Sequence, residues 1–300
     1  MVRPEGLLGP VTIDARARDL VTGPDGEVRA TTAQMLTADV TVQRCVAALC
    51  AEPDEPALVP LVGASLARGF RRAALEAVPH HVRDATLLHL LLDDLPGAAL
   101  VGGFSFGHAA QSDATLRALM LSQGPIAGTP DLCAGWVEGG GIMTFLRREQ
   151  IPPVLTGPPA PPSTADDPLA WHERADLTPH CVRRARMLDV WRADGTVRAH
   201  SSFRDSHVDA DGRETVVHEY TVEAGVEDDG VVGSCVATVR VLPWAECPQA
   251  AASAERIVGV SVGEVRELVR RTFTGITTCT HLNDQLRSLA DIPALAAMLD

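Results

Sequence analysis

A proline-rich segment in the middle of the chain limits its folding more than any other feature. Residues 151–168 read IPPVLTGPPAPPSTADDP. Proline fixes φ and removes an amide donor, so neither a helix nor a central strand can persist there. We therefore predict an N-terminal region over residues 1–150, a linker over 151–179 that Trp171 anchors, and a C-terminal region over 180–300. A length of 300 residues allows two such domains.

The two regions share sequence patterns in the same order. Three pairs of stretches match: 15–30 with 183–199, 61–75 with 257–271, and 83–95 with 276–289. The first pair reads as strand, Asp-Gly turn and strand, and the other two pairs read as helices. We predict an internal duplication in which the first copy is a degenerate structural partner. Chance similarity within an Arg-, Ala- and Val-rich sequence is the alternative.

The predicted fold class is α+β, with two similar halves that each place helices on one face of an antiparallel sheet. In the second half, period-two patterns predict strands over 184–192, 196–208, 214–226 and 231–242. Helices are expected over about 253–273 and 278–290.

Composition and charge exclude several classes of function. Lys and Arg total 26 against 39 Asp and Glu, for a net charge of −13, which disfavours a nucleic-acid surface. All basic residues are arginine, so no Schiff-base or P-loop lysine exists.

Seven cysteines without paired spacings argue against a disulfide framework. No segment looks like a signal peptide, and the apolar run 87–92 is too short for a membrane span. We expect a cytoplasmic protein, either a monomer (a pseudo-dimer) or a homodimer, with a small-molecule substrate and no nucleic-acid or membrane partner.

Candidate catalytic residues gather in the C-terminal region. They are Asp205, His207, His218, Cys279 and His281. Asp205 and His207 lie two apart on a predicted strand, so we expect them to share one face, where a carboxylate orients an imidazole. His218, on the returning strand, is expected to meet this pair. An exposed polar face beside the 209–212 turn is the alternative.

Cys279 follows two threonines that are good N-cap residues. A thiol in the first turn of a helix lies near unpaired amides and the positive end of the dipole, so its pKa should fall. We therefore expect Cys279 to react with iodoacetamide faster than the other six thiols. The alternative is a small hydrophobic core residue. Inside a helix His281 would point away from Cys279, so the two can meet only if Cys279 is the cap itself.

A metal centre is the other chemistry that these residue types allow. Cys247, Cys279 and His281 are soft and borderline ligands suited to zinc or iron. They are dispersed, without a CxxC or HxxxH motif, so the absence of any metal stays open.

The stretches VLPWAECPQAAASAERIVG and TCTHLNDQLRSLAD resemble an uncharacterised bacterial family of domains of unknown function. Its members carry a Gly-Cys-Thr-His-Leu signature near the C-terminus, where this chain has Thr278 in place of the glycine. The resemblance covers about 180–290, the first half resembles longer actinobacterial members, and no activity is implied. The order of elements is also similar to that of iron–sulfur scaffold proteins of the NifU type, an analogy of fold alone.

These observations favour an enzyme of small-molecule metabolism, with acyl-transfer, hydrolase or lyase chemistry on an acyl or aromatic metabolite. One alternative is a zinc or iron–sulfur carrier with the NifU-like order of elements. A non-catalytic ligand-binding protein is the third possibility.

Overall fold

The computed structural model describes residues 1–122, 130–151, 153–161, 169, 172 and 176–299. Its strands form two antiparallel sheets, in the orders β1-β2-β3 and β4-β5-β6-β7. The strands are β1 Val11–Thr22, β2 Val28–Val40, β3 Val46–Glu52, β4 Val182–Ala193, β5 Thr196–Val208, β6 Glu214–Val226 and β7 Val232–Val241. The α-helices are α1 Phe70–Ala77, α2 Pro79–Arg83, α3 Leu87–Ser112, α4 Ala114–Ser122, α5 Gly141–Glu149, α6 Val265–Thr272, α7 Thr280–Ser288 and α8 Ile292–Ala296.

The four strands of the C-terminal sheet confirm the prediction within about two residues at each end. β4 and β5 join through Asp194-Gly195, both with positive φ, as a tight hairpin turn requires. One face of β5–β7 packs against the helices that follow, around Phe203, Tyr220 and Leu286. The mixed α+β class with helices on antiparallel sheets is therefore correct.

One predicted helix is wrong. Residues 253–273 do not form a single helix, because Gly259 has φ +82° and its amide donates to the Val232 carbonyl at 2.8 Å. This contact holds the chain against the edge of β7. A 3-10 helix (Cys247–Ile257) ends before it, and α6 begins after a short 3-10 turn (Val262–Glu264).

The two sheets repeat one hydrogen-bonding pattern at their outer strands. β3 and β7 each form an isolated bridge with the segment that follows the sheet. The corresponding pairs are Val40–Val46 and Val226–Val232 within the sheets, and Cys45–Ser65 and Val231–Ser261 at the bridges. The same pairing therefore recurs at β2–β3 and at β6–β7. Asp-Gly occurs in all three turns of the C-terminal sheet, at 194–195, 211–212 and 229–230, so the turn residues alone do not single out one hairpin as the partner of the first.

Helix α3 connects the two halves. It contacts β1 and β2 of the first sheet, β4 and β5 of the second, and α7. The apolar segment is longer than the predicted run 87–92, and by length and composition the 26-residue helix could cross a membrane. Half of its most apolar window is buried inside the protein, as in a core helix, which is consistent with a soluble protein.

The described part of the proline-rich segment lies along β6. The Val216 amide donates to the Pro158 carbonyl, and the Ala160 amide donates to the Glu214 carbonyl, both at 2.9 Å. The pairing of β6 with β7 begins only at Glu219. The proline-rich segment therefore covers the part of β6 that precedes this residue. Residues 162–168 and Trp171, the predicted anchor, lie outside the described residues.

Candidate functional site

Asp205, His218 and His281 meet where β5, β6 and α7 come together. Asp205 and His218 are direct cross-strand partners, and His281 stands in the first turn of α7. Asp205 Oδ2 lies 3.5 Å from His218 Nδ1 and 3.8 Å from His281 Nε2. The two imidazoles stack with ring centroids 3.7 Å apart. Asp205 is fully buried, whereas the two histidine side chains remain 14% and 13% exposed.

The ring nitrogens that face Asp205 have no hydrogen-bond partner among the described residues. Both are buried, and separations of 3.5 and 3.8 Å exceed the usual hydrogen-bond length. An unpartnered buried polar atom is costly, and here two of them face one carboxylate oxygen. One carboxylate oxygen and two imidazole nitrogens, the kinds of atom that bind metal ions, lie within 4.8 Å of one another.

The environment of His281 suits a neutral imidazole. Burial, and then the neighbouring His218, lower the pKa of His281 to about 3. Its Nδ1 lies 3.4 Å from Thr280 Oγ1, which can accept a hydrogen bond from it. A proton on Nδ1 leaves the lone pair of Nε2 directed at Asp205, which is the form a metal ligand requires.

Arg184 binds both oxygens of the Asp205 carboxylate and so fixes its orientation. Its Nε and Nη2 donate to the two carboxylate oxygens at 2.9 and 3.2 Å. Burial alone would raise the pKa of Asp205, but the Arg184 guanidinium keeps it well below the usual value. Asp205 is therefore a carboxylate whatever occupies the site.

The Arg184 pair belongs to a buried ion network that spans both halves of the chain. Arg184 Nη1 also lies 2.9 Å from Asp284 Oδ2 and 3.6 Å from Asp94 Oδ1. Asp94 pairs in addition with Arg186. Further ion pairs join Arg71 and Arg287 to Asp93 and Asp284.

Sequence reasoning missed this network. Two signals could have indicated it: the adjacent carboxylates Asp93 and Asp94 within an otherwise apolar helix, and arginines at 184 and 186 on one face of a predicted strand.

Cys279 is the N-cap of α7, which is the one arrangement that lets it reach His281. Its Sγ lies 3.8 Å from His281 Nδ1. The expected fall in its pKa is wrong, because burial raises the pKa of this thiol to about 11. Cys279 packs in the hydrophobic core with 6% of its surface exposed, and the core-residue alternative is correct.

Cys247 does not join the histidines. A Cβ built on Gly135 would lie only 2.7 Å from the Cys247 Sγ. Cys247 therefore packs against the short 3-10 turn Ala134–Trp136. Burial raises its pKa to about 12. Among the described residues, the groups of three possible ligands within 4.8 Å do not include the predicted set Cys247, Cys279 and His281.

His207 also lies apart from Asp205, so the predicted orienting pair is wrong. Its ring meets Phe104 of α3 in an edge-on contact and lies tilted against His108, at centroid distances of 5.4 and 4.9 Å. Neither ring nitrogen has a hydrogen-bond partner among the residues described. Burial, and then His108, lower the pKa of His207 to about 4. A β-bulge between Asp205 and Ser206 shifts the register of the strand end, and α3 covers it.

A second group of possible ligands lies on the surface of the N-terminal half. His81 Nε2 is 3.0 Å from Glu55 Oε2, and His80 Nε2 is 3.9 Å from the same oxygen. Local structure accounts for these contacts, because Glu55 caps a 3-10 helix and His81 also bonds Thr86, the N-cap of α3.

Comparison with known proteins gives one match, and it covers the region of the site. Residues 182–295 fit a family model described as "Protein of unknown function (DUF2889)". A DUF2889 domain forms the C-terminal part of the chain. Arg184, Asp205, His218, His281 and Asp284 all lie in the DUF2889 domain, whereas Asp94 is outside it. No curated protein and no solved structure matches the chain.

Proposed function

We propose that this protein is an enzyme of small-molecule metabolism whose site is a divalent transition-metal centre on Asp205, His218 and His281. The observation that carries the proposal is the pair of buried, unpartnered imidazole nitrogens facing one carboxylate oxygen. Ligands about 2.0–2.2 Å from a tetrahedral zinc ion stand roughly 3.4 Å apart. The observed separations of 3.5 and 3.8 Å are close to this spacing.

Two histidines and one carboxylate leave at least one coordination position for water or substrate. A divalent ion bound there lowers the pKa of a bound water and polarises a carbonyl group. This chemistry supports hydrolase or lyase activity on an acyl or aromatic metabolite. A cysteine nucleophile is disfavoured, since burial keeps the Cys279 thiol protonated. The same argument disfavours a carrier that depends on thiolate ligands.

The test of the metal site is titration of tag-free, chelator-treated protein with Zn²⁺ or Co²⁺. We expect about one ion per chain, and His218→Ala and His281→Ala should each weaken affinity by about a hundredfold or more, since each removes a ligand. His207→Ala is the matched control, because His207 is also a buried histidine with unpartnered ring nitrogens but lies near α3. Equal loss in the control, or no binding by the wild type, would contradict the proposed centre.

The enzymatic part of the proposal is tested with the Co²⁺-loaded protein. A catalytic site with an open position should change its visible spectrum when azide is added or pH is raised, since both alter the exchangeable ligand. A spectrum unaffected by either would indicate a closed site, which fits a metal carrier and not an enzyme.

We also propose that the two halves are copies of one unit. The shared pairings of β1–β3 and β5–β7 support this, as do the equivalent bridges at Ser65 and Ser261. An eight-residue helix follows in each half, α1 and α6. At the site both copies have an aspartate, Asp19 and Asp205. They differ at the cross-strand partner, which is Thr32 in the first half and His218 in the second. The N-terminal half is thus a structural partner of the DUF2889 domain.

A further inference from the structure

The carboxylate of the proposed centre is held by a chain of contacts that begins in the other half of the molecule. Asp205 is bound through both oxygens by Arg184. Arg184 in turn lies between Asp284 of the DUF2889 domain and Asp94 of α3. Since a guanidinium is planar and bonds a carboxylate along two parallel directions, its orientation sets the plane of the Asp205 carboxylate.

Gly97 makes room for this arginine. A Cβ on Gly97 would overlap Arg184 Nη1 and would stand 2.7 Å from Asp284 Oδ2. Glycine destabilises a helix interior relative to alanine, but at this position the side chain of an alanine would have no room beside Arg184. Gly103, six residues further along the same helix, has nothing within 4 Å of an added Cβ.

We propose that the N-terminal half positions the metal-binding carboxylate, with Gly97 and Asp94 holding Arg184 and Arg184 orienting Asp205. This inference rests on the proposed function for the identity of the site. Gly97, Asp94 and Arg184 are positioning residues that touch neither the metal nor a substrate. The partner half is then part of the machinery of the DUF2889 domain, because α3 supplies both the space and a counter-charge for Arg184.

The experiment compares Gly97→Ala with Gly103→Ala in the full chain. Co²⁺ affinity is measured in each variant, together with the visible spectrum of the bound ion. In metal-free protein at one fixed pH, the ring-nitrogen chemical shifts of His218 and His281 are also recorded. We expect Gly97→Ala to weaken Co²⁺ binding at least tenfold and to move both sets of signals. Gly103→Ala should stay within twofold of the wild type with unchanged signals.

A second variant, Asp94→Asn, tests the proposal if Gly97→Ala does not fold. Asp94→Asn keeps the volume of the side chain and removes its charge, so it should shift the same histidine signals to a smaller extent. Wild-type affinity and unchanged signals in Gly97→Ala would overturn the inference while leaving the metal site intact. If neither the wild type nor any variant binds Co²⁺ but the signals move in Gly97→Ala and Asp94→Asn and not in Gly103→Ala, the proposed function fails and the positioning by α3 stands.

Discussion

At the scale of single residues, burial decides which groups can carry chemistry. Cys279 has the N-cap position that lowers the pKa of an exposed thiol, but the loss of hydration outweighs the helix dipole. Burial also lowers the pKa of His281 and so keeps this imidazole neutral and able to bind a metal. The same physical effect therefore disfavours a thiolate nucleophile and favours the neutral imidazole that the proposed metal centre requires.

The cysteines give a direct check on this balance. We expect iodoacetamide near pH 7.5 to modify the exposed Cys50 first and Cys279 only after unfolding. The reason is that a buried thiol with a pKa of about 11 offers almost no accessible thiolate. Mass spectrometry of peptides from a time course measures both rates. Labelling of Cys279 in the native protein as fast as that of Cys50 would restore the nucleophile hypothesis.

At the scale of elements, the end of β5 and the first part of β6 position the site. The pairing of β5 with β6 shifts register after Asp205, where Val217 of β6 is the extra residue, and the proline-rich segment lies against the start of β6. Gly157 allows the approach, since a Cβ there would overlap the backbone carbonyl of Val216. A backbone neighbour cannot rotate away as a side chain can.

Gly157→Ala should therefore lower the free energy of unfolding by roughly 2 kcal/mol, within the usual cost of overpacking. Urea titration followed by circular dichroism measures the change. Gly263→Ala is the control, because its added Cβ meets nothing within 4 Å. Equal stability of the two variants would show that the segment does not pack on β6 as described.

At the scale of the whole molecule, the two halves share one buried ion network. Asp93 of α3 pairs with Arg287 of α7 at 3.0 Å and with Arg71 of α1 at 2.9 Å. Burial alone would raise the pKa of Asp93, but Arg287 and Arg71 lower it to about 2. Removing a single partner from such a network leaves buried charge without compensation.

Asp93→Asn should thus destabilise both halves together, by about 3 kcal/mol. Urea unfolding followed by tryptophan fluorescence and by far-UV circular dichroism should give one coincident transition in wild type and variant. The control is Asp84→Asn, whose partner Arg83 is largely exposed, with an expected change within about 0.5 kcal/mol. Two separate transitions would show that the halves fold independently.

The sequence by itself determined the strands of the C-terminal sheet, its hairpin turns and the approximate start of α7, although Cys279 and not a threonine is the N-cap. Alternating side chains, Asp-Gly turns and capping residues act within a few neighbours, so they can be recognised locally. It also indicated Asp205, His218 and His281 as residues able to carry chemistry.

Only the tertiary structure decided which of these groups meet. Asp205 contacts His218 and His281, whereas His207 lies against Phe104 and His108, because the packing of α7 and α3 decides which side chains the end of β5 meets. The ion network that holds Asp205 joins residues about 100 or more positions apart, such as Arg184 with Asp284 and Arg287 with Asp93. Contacts at such separations follow from how whole layers pack, and burial then sets the pKa of each group.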